Sequence, residues 1–200
     1  MRAWLSPATM LLLTLAVPAL SEDKGVTVVA TRDNAARGFM DDAVAVVTRP
    51  PKKKELFRGT PRLDPAVIVL AKGRWSSAAA GNTVDFGPIP MGFQAGSMGA
   101  GPCIGLIVWR AGGLTTVGHY AATEDPAKTL EPVEIGRQDK AYLFGGDDSD
   151  PSNRVLAAVL DALKKKGVRP AGYADFDALW IDGDGNVAVH SGAKPSTPPR

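Results

Sequence analysis

The stretch "CIGLIVWRAGGLTTVGHY", residues 103–120, is an apolar run, a glycine-rich break and a second run rich in Thr and Val. Ile104 to Trp109 is too short for a buried helix and has the composition of a buried strand. "RAGG", Arg110 to Gly113, carries turn residues, and Leu114 to Tyr120 can return as the partner strand of a hairpin. Folding back at that turn brings the two ends of the stretch together, so Cys103 and His119 meet at one end of the ladder.

Downstream, Lys140 to Phe144 predicts another short strand. A helix follows over Ser152 to Lys166, with Asp150 as N-cap and Pro151 at the first helical position. Val155, Leu156, Val159, Ala162 and Leu163 recur at helical spacing as its buried face, Lys164 to Lys166 complement its C-terminal dipole, and Gly167 stops it. Leu179 to Ile181 and Val187 to His190 flank "DGDGN" as a last hairpin.

Upstream, Val26 to Ala30, Ala43 to Thr48 and Ala66 to Ala71 are short runs bounded by Gly, Pro or charge, and read as strands. "RPPKKKELFRGTPR", residues 49–62, has only Phe57 among its charges and three prolines, so it reads as a solvated loop and not as a nucleic-acid patch. The tail "AKPSTPPR", residues 193–200, predicts disorder. Many short strands beside one strong helix predict an α+β domain with mixed or antiparallel sheets.

With 200 residues, 44% hydrophobic and 22% charged, the chain can bury one core and is short for two. Residues 1–21, with Arg2 ahead of a mostly apolar Ala8 to Leu20 and small residues at "ALS", predict a secretory signal peptide too short for a membrane span. The mature chain is then a single exported domain over residues 22–192 with no membrane span of its own. Its cleavage removes Arg2 and no acidic residue, leaving a near-neutral chain whose bulk charge selects no partner, nucleic acid included.

Cys103 is the only cysteine, so in an oxidising compartment it has no internal partner. Two histidines, His119 and His190, with no H-x-x-x-H or C-x-x-C spacing, make no zinc site. "DGDGN" lacks the glycine and the terminal Glu of a calcium loop, and the acidic "GGDDSD" is explained by a helix start. "GSMGAG" is followed by neither Lys-Ser/Thr nor a helix, which excludes a phosphate loop.

Cys103, His119 and Ser97 remain. A histidine within reach of a thiol takes its proton and later supplies one to the leaving group, and the imidazole needs a group to orient it, for which the Ser97 hydroxyl suffices. Gly99 and Gly101 leave backbone N–H groups uncovered near the thiol, as a developing oxyanion requires; those of Gly101 and Cys103 are the candidates. Two other readings stay open. Cys103 is a buried packing residue of a secreted binding domain, or it pairs with His190 in a papain-like cell-wall peptidase.

At "SMGAGPC" and His119, sixteen residues on, the sequence resembles the Cys-His protein glutamine deamidase superfamily, which includes the chemoreceptor glutamine deamidases of CheD type and the catalytic domains of cytotoxic necrotizing factor-like toxins. Ser97, Gly99, Gly101 and Cys103 match that family's hydroxyl-x-Gly-x-Gly-x-Cys pattern, with Ser97 where Thr is usual and Pro102 in place of a small residue. "RAGG", "KAYLFGGDDSDPSNRVLAAVLDALKKKGV" and "DGDGNVAVHSG" extend the similarity over residues 96–192. The resemblance implies a layered α/β/β fold, a mixed β-sandwich with flanking helices. It implies hydrolysis of a glutamine side chain on a protein substrate through a Cys103 thioester, with no metal or organic cofactor. With an amine in place of water, the same site would transamidate. The signal peptide points to the secreted, toxin-like branch.

Overall fold

The structure, a computed structural model, describes residues 26–27, 47–48 and 50–196. It divides into two compact units, residues 1–49 and residues 50–200. In the first, β1 (Val26–Thr27) pairs antiparallel with β2 (Val47–Thr48), within the two segments expected to be strands. The remainder of those segments and the signal peptide over 1–21 lie outside the described residues.

In the second unit, α1 (Lys53–Leu56) precedes β3 (Ala66–Ile68), β4 (Trp75–Ser77), β5 (Asn82–Pro88), β6 (Gln94–Ser97), β7 (Ile104–Trp109) and β8 (Leu114–Tyr120). Then come α2 (Pro126–Leu130), β9 (Lys140–Gly145), α3 (Asp150–Lys165), β10 (Pro170–Ala174), β11 (Leu179–Asp182) and β12 (Val187–His190). One five-stranded sheet has the order β10-β9-β7-β8-β5 and the other β3-β12-β11-β6-β4. Each is mixed: β9 and β10 are parallel in the first, as are β3 with β12 and β4 with β6 in the second. The fold is α+β, with sheets and flanking helices.

Side-chain alternation along β7 sets the layers. Ile104, Leu106 and Val108 point to one face, where they join Leu143 of β9 and Val155, Leu156, Val159 and Leu163 of α3 in one core. Ile107 points to the other face and packs with Val117, Tyr142 and Phe144 of the same sheet and with Ala95, Leu179, Ile181 and Val189 of the second sheet. The first sheet is thus covered by helix on one side and by sheet on the other. This double burial explains why β7 reads as an unbroken apolar run and not as an alternating one.

The hairpin folds at the expected place. Arg110 N–H donates to Leu114 O (2.8 Å), and Gly112 and Gly113 hold positive φ of 82° and 79° at the turn. Its register pairs Gly105 with His119 and Ile104 with Tyr120. α3 is capped one residue earlier than the sequence predicts: the Ser149 hydroxyl accepts from Ser152 N–H, so Asp150 opens the helix and Pro151 follows in its first turn. Among the described residues no helix is long and apolar enough to cross a membrane.

Two expectations are corrected. The basic segment is not simply a solvated loop: α1 forms there, Lys53 is 7% exposed, and Phe57 stacks on Tyr173 with ring centroids 4.1 Å apart. Lys53 Nζ donates to Gly146 O (2.8 Å), Asp175 Oδ1 (2.7 Å) and Ser196 Oγ (3.0 Å), so its charge is met inside the protein. The same cluster overturns disorder for the first part of the tail. Pro195 bridges to Phe176, and the buried Ser196 hydroxyl contacts Gly145 O and Asp175. Residues 197–200 lie outside the described residues.

Candidate active site

His119 and Ser97 come from different sheets. Cross-strand partners share a face, so His119, opposite Gly105, lies on the inter-sheet side of β8 together with Val117. Ser97, the last residue of β6, pairs with Leu179 and faces the same interior from the second sheet. Ser97 Oγ stands 2.8 Å from His119 Nδ1 and 2.7 Å from Ala78 O.

These two distances assign the tautomer. Ser97 has one hydroxyl hydrogen, and Ala78 O can only accept, so that hydrogen goes to the carbonyl. The imidazole must then donate from Nδ1 to Ser97 Oγ, which leaves the lone pair on Nε2. His119 is 3% exposed, and Nε2 has no hydrogen-bond partner. Burial pushes the imidazole pKa below its ordinary value, against a smaller opposing pull from the Glu124 carboxylate. The group is a neutral base at neutral pH.

Cys103 sits in the bend just before β7, half-buried, and packs against the inter-sheet core. It directly precedes Ile104, the β7 residue paired with Tyr120 at the end of the ladder, so Cys103 and His119 are carried at the same end of the hairpin. They are not hydrogen-bonded, because Nε2 is unpartnered. Burial raises the Cys103 pKa, and the carboxylates of Glu124 and Asp147 raise it further. The resting pair is therefore a thiol and a neutral imidazole, not a thiolate and an imidazolium.

The loop that carries the thiol is tied down. Ala100 N–H donates to Asp177 O (2.8 Å), and Gly146 N–H reaches both Ala100 O (3.1 Å) and Cys103 O (2.9 Å). Gly145, with φ of 84°, has no room for a side chain, since a Cβ would run into the carbonyls of Ala100 and Cys103. Gly99 turns the loop at φ of 79°. Gly101 has open space at its Cα, and neither Gly101 nor Cys103 gives its N–H to a backbone acceptor among the described residues. Phe144 lies across Gly105, where any side chain would collide with its ring, and so walls the site beside His119.

His190 belongs elsewhere. It ends β12 in the second sheet, opposite Ile68 of β3, and its Nδ1 accepts the Gly192 N–H at 2.9 Å. "DGDGN" is the β11–β12 turn, where Asp182 Oδ1 accepts the N–H groups of Asp184 (3.0 Å) and Asn186 (2.9 Å). Among the described residues no group of three or more His, Cys, Asp or Glu is placed to hold a metal ion.

Sequence reasoning passed over Glu124, Asp147 and Ala78. The two carboxylates come from loops after β8 and β9, and the third group is a backbone carbonyl; none has a spacing that marks it. No protein-family model matches the chain, and no curated protein matches its sequence.

Proposed function

We propose that the chain is an exported cysteine amidohydrolase that converts a glutamine side chain of a protein substrate to glutamate. The observation that carries this reading is the buried, unpartnered Nε2 of His119, whose tautomer is set by Ser97 and Ala78 on the same face and at the same end of the hairpin as Cys103.

In this mechanism Cys103 Sγ attacks the carboxamide carbon while His119 Nε2 takes the thiol proton, since the resting thiol is not ionised. The oxyanion is received by the N–H groups of Gly101 and Cys103. As the intermediate collapses, the imidazolium gives its proton to the departing nitrogen, and ammonia leaves a thioester behind. His119 Nε2 then deprotonates a water that attacks the thioester, and the proton returns to Sγ with release of glutamate. No metal or organic cofactor enters the chemistry.

The test is mass spectrometry of candidate proteins after incubation with the full chain. A Gln-to-Glu conversion that needs Cys103 supports the reading, and its absence across glutamine-rich substrates under conditions where the protein is folded defeats it. The second reading, a binding domain with a packing thiol, is favoured by the half-burial and raised pKa of Cys103. Native-state alkylation by iodoacetamide separates the two: a thiol that reacts only on unfolding belongs to the second.

Two further outcomes follow. The active base is neutral His119, and burial holds its pKa below 6.5, so the acid limb of kcat/KM should have its midpoint below pH 6.5. A mechanism that needs imidazolium would instead gain activity as the pH drops. Ser97→Ala should cut kcat by roughly 10–100-fold, by analogy with the loss of groups that orient metal-ligating histidines. It should also populate the Nε2–H tautomer, visible in the nitrogen NMR spectrum of His119, which a merely structural role would not move.

A further inference from the structure

This inference rests on the amidohydrolase reading and concerns which glutamines the site accepts. Two carboxylates, from separate loops, bear on the thiol electrostatically. Glu124, between β8 and α2, accepts Ala121 N–H on Oε2 (2.9 Å), while its Oε1 lies 2.8 Å from where a Cβ on Gly81 would stand. Gly81 itself donates to His119 O at 2.8 Å, so this carboxylate is packed at the end of β8 beside the base. Asp147, between β9 and α3, follows directly on Gly146, whose N–H clamps Cys103 O; its Oδ1 accepts Ser149 N–H at 3.0 Å.

The nearby cation does not cancel them. Lys53 Nζ reaches Gly146 O from the far side of the clamp, but it is salt-bridged to Asp175 and also feels Asp147 and Asp148. Asp175 takes both Lys53 and, at 3.7 Å, Arg62 as ion-pair partners. The charges that bear on the Cys103 thiol are Glu124 and Asp147. His119, 3% exposed and unpartnered at Nε2, also feels the Glu124 carboxylate.

We propose that the substrate glutamine is presented beside cationic side chains, Lys or Arg within a residue or two, and that glutamines flanked by acidic residues are rejected. A carboxamide is neutral, so the field selects its neighbours. It attracts a cationic flank and repels an anionic one, as clefts lined with one sign of charge do for their ligands. The docked cation also offsets the two carboxylates and eases ionisation of the thiol at the moment of attack. Without substrate the thiol stays protonated, which protects it from oxidation in an oxidising compartment.

The experiment has two arms on the full chain. In the first, Cys103 is modified by a trimethylammonium-bearing and by a sulfonate-bearing methanethiosulfonate of similar size. The cationic reagent should react about tenfold faster at low salt, with the ratio falling toward one near 1 M salt. Glu124→Gln and Asp147→Asn, which keep an oxygen to accept the Ala121 and Ser149 N–H groups and so retain the loops, should each shrink the ratio. In the second arm, ammonia release is compared for peptides with glutamine between lysines or between glutamates, and the lysine peptide should be turned over about tenfold faster at low salt. Equal modification rates overturn the field and with it the inference. Turnover of both peptides at equal rates overturns the inference and leaves the amidohydrolase standing. Charge-selective modification with no turnover of either peptide overturns the amidohydrolase reading and the substrate class with it.

Discussion

His119→Ala is expected to lower glutamine turnover by about 10²–10⁴-fold, the usual contribution of a positioned acid–base group, and Cys103→Ala to remove turnover altogether. The first loss is large because His119 has to act four times in one cycle: on the thiol, on the departing nitrogen, on the water and on the returning proton. No other imidazole is placed to substitute, since His190 is in the other sheet and its Nδ1 is occupied by Gly192 N–H. Because the resting thiol is neutral, nothing but the base supplies the nucleophile near neutral pH. Activity of His119→Ala should therefore rise only in part at high pH, where the thiol ionises unaided but the departing nitrogen still lacks an acid, while Cys103→Ala stays silent at every pH. His190→Ala should retain full turnover. A silent His190→Ala beside an active His119→Ala would transfer the assignment to the peptidase-like pair. Urea denaturation of each variant separates loss of chemistry from loss of fold.

Lys53→Met is expected to destabilise the protein by about 3–5 kcal/mol, the cost of removing one partner from a buried ion pair. The methionine fills the aliphatic channel but withdraws three donors. Gly146 O and Ser196 Oγ lose contacts of 2.8 Å and 3.0 Å, and Asp175 keeps a longer one, 3.7 Å, to the exposed Arg62. The penalty comes mainly from what is left behind, so Lys53→Met with Asp175→Leu should recover much of it. A pair whose combined loss equals the sum of the two single losses would show that Lys53 acts alone. Chemical denaturation midpoints of the three variants provide the cycle.

What could be read from the chain beforehand was what its neighbours in sequence determine. The β7–β8 and β11–β12 hairpins and α3 announce themselves by local periodicity and turn residues, and the Cys103, His119 and Ser97 trio by residue type. β6, "QAGS", has no β-branched residue; it is a strand because β11 and β4 pair with it on either side. Gly96 within it is required from outside, since a Cβ there would run into the Leu179 carbonyl and the Trp180 ring. α2 begins with the same Asp-Pro pair that marks α3, Asp125 capping through Ala127 N–H, but at five residues it has no periodicity to notice. Lys53 looked like a surface charge because its partners lie 93, 122 and 143 residues away. Glu124 and Asp147 escaped for the same reason: their place beside the thiol is a property of loop packing.

The bond between Ser97 and His119 joins one sheet to the other, and this gives it a mechanical meaning. At 2.8 Å it has little slack: sliding the layers by about 0.7 Å along the bond would carry it to the outer limit of a hydrogen bond. The base then works as a gauge of slip between the two layers. A slip that breaks this bond removes the one side-chain contact that holds the proton on His119 Nδ1.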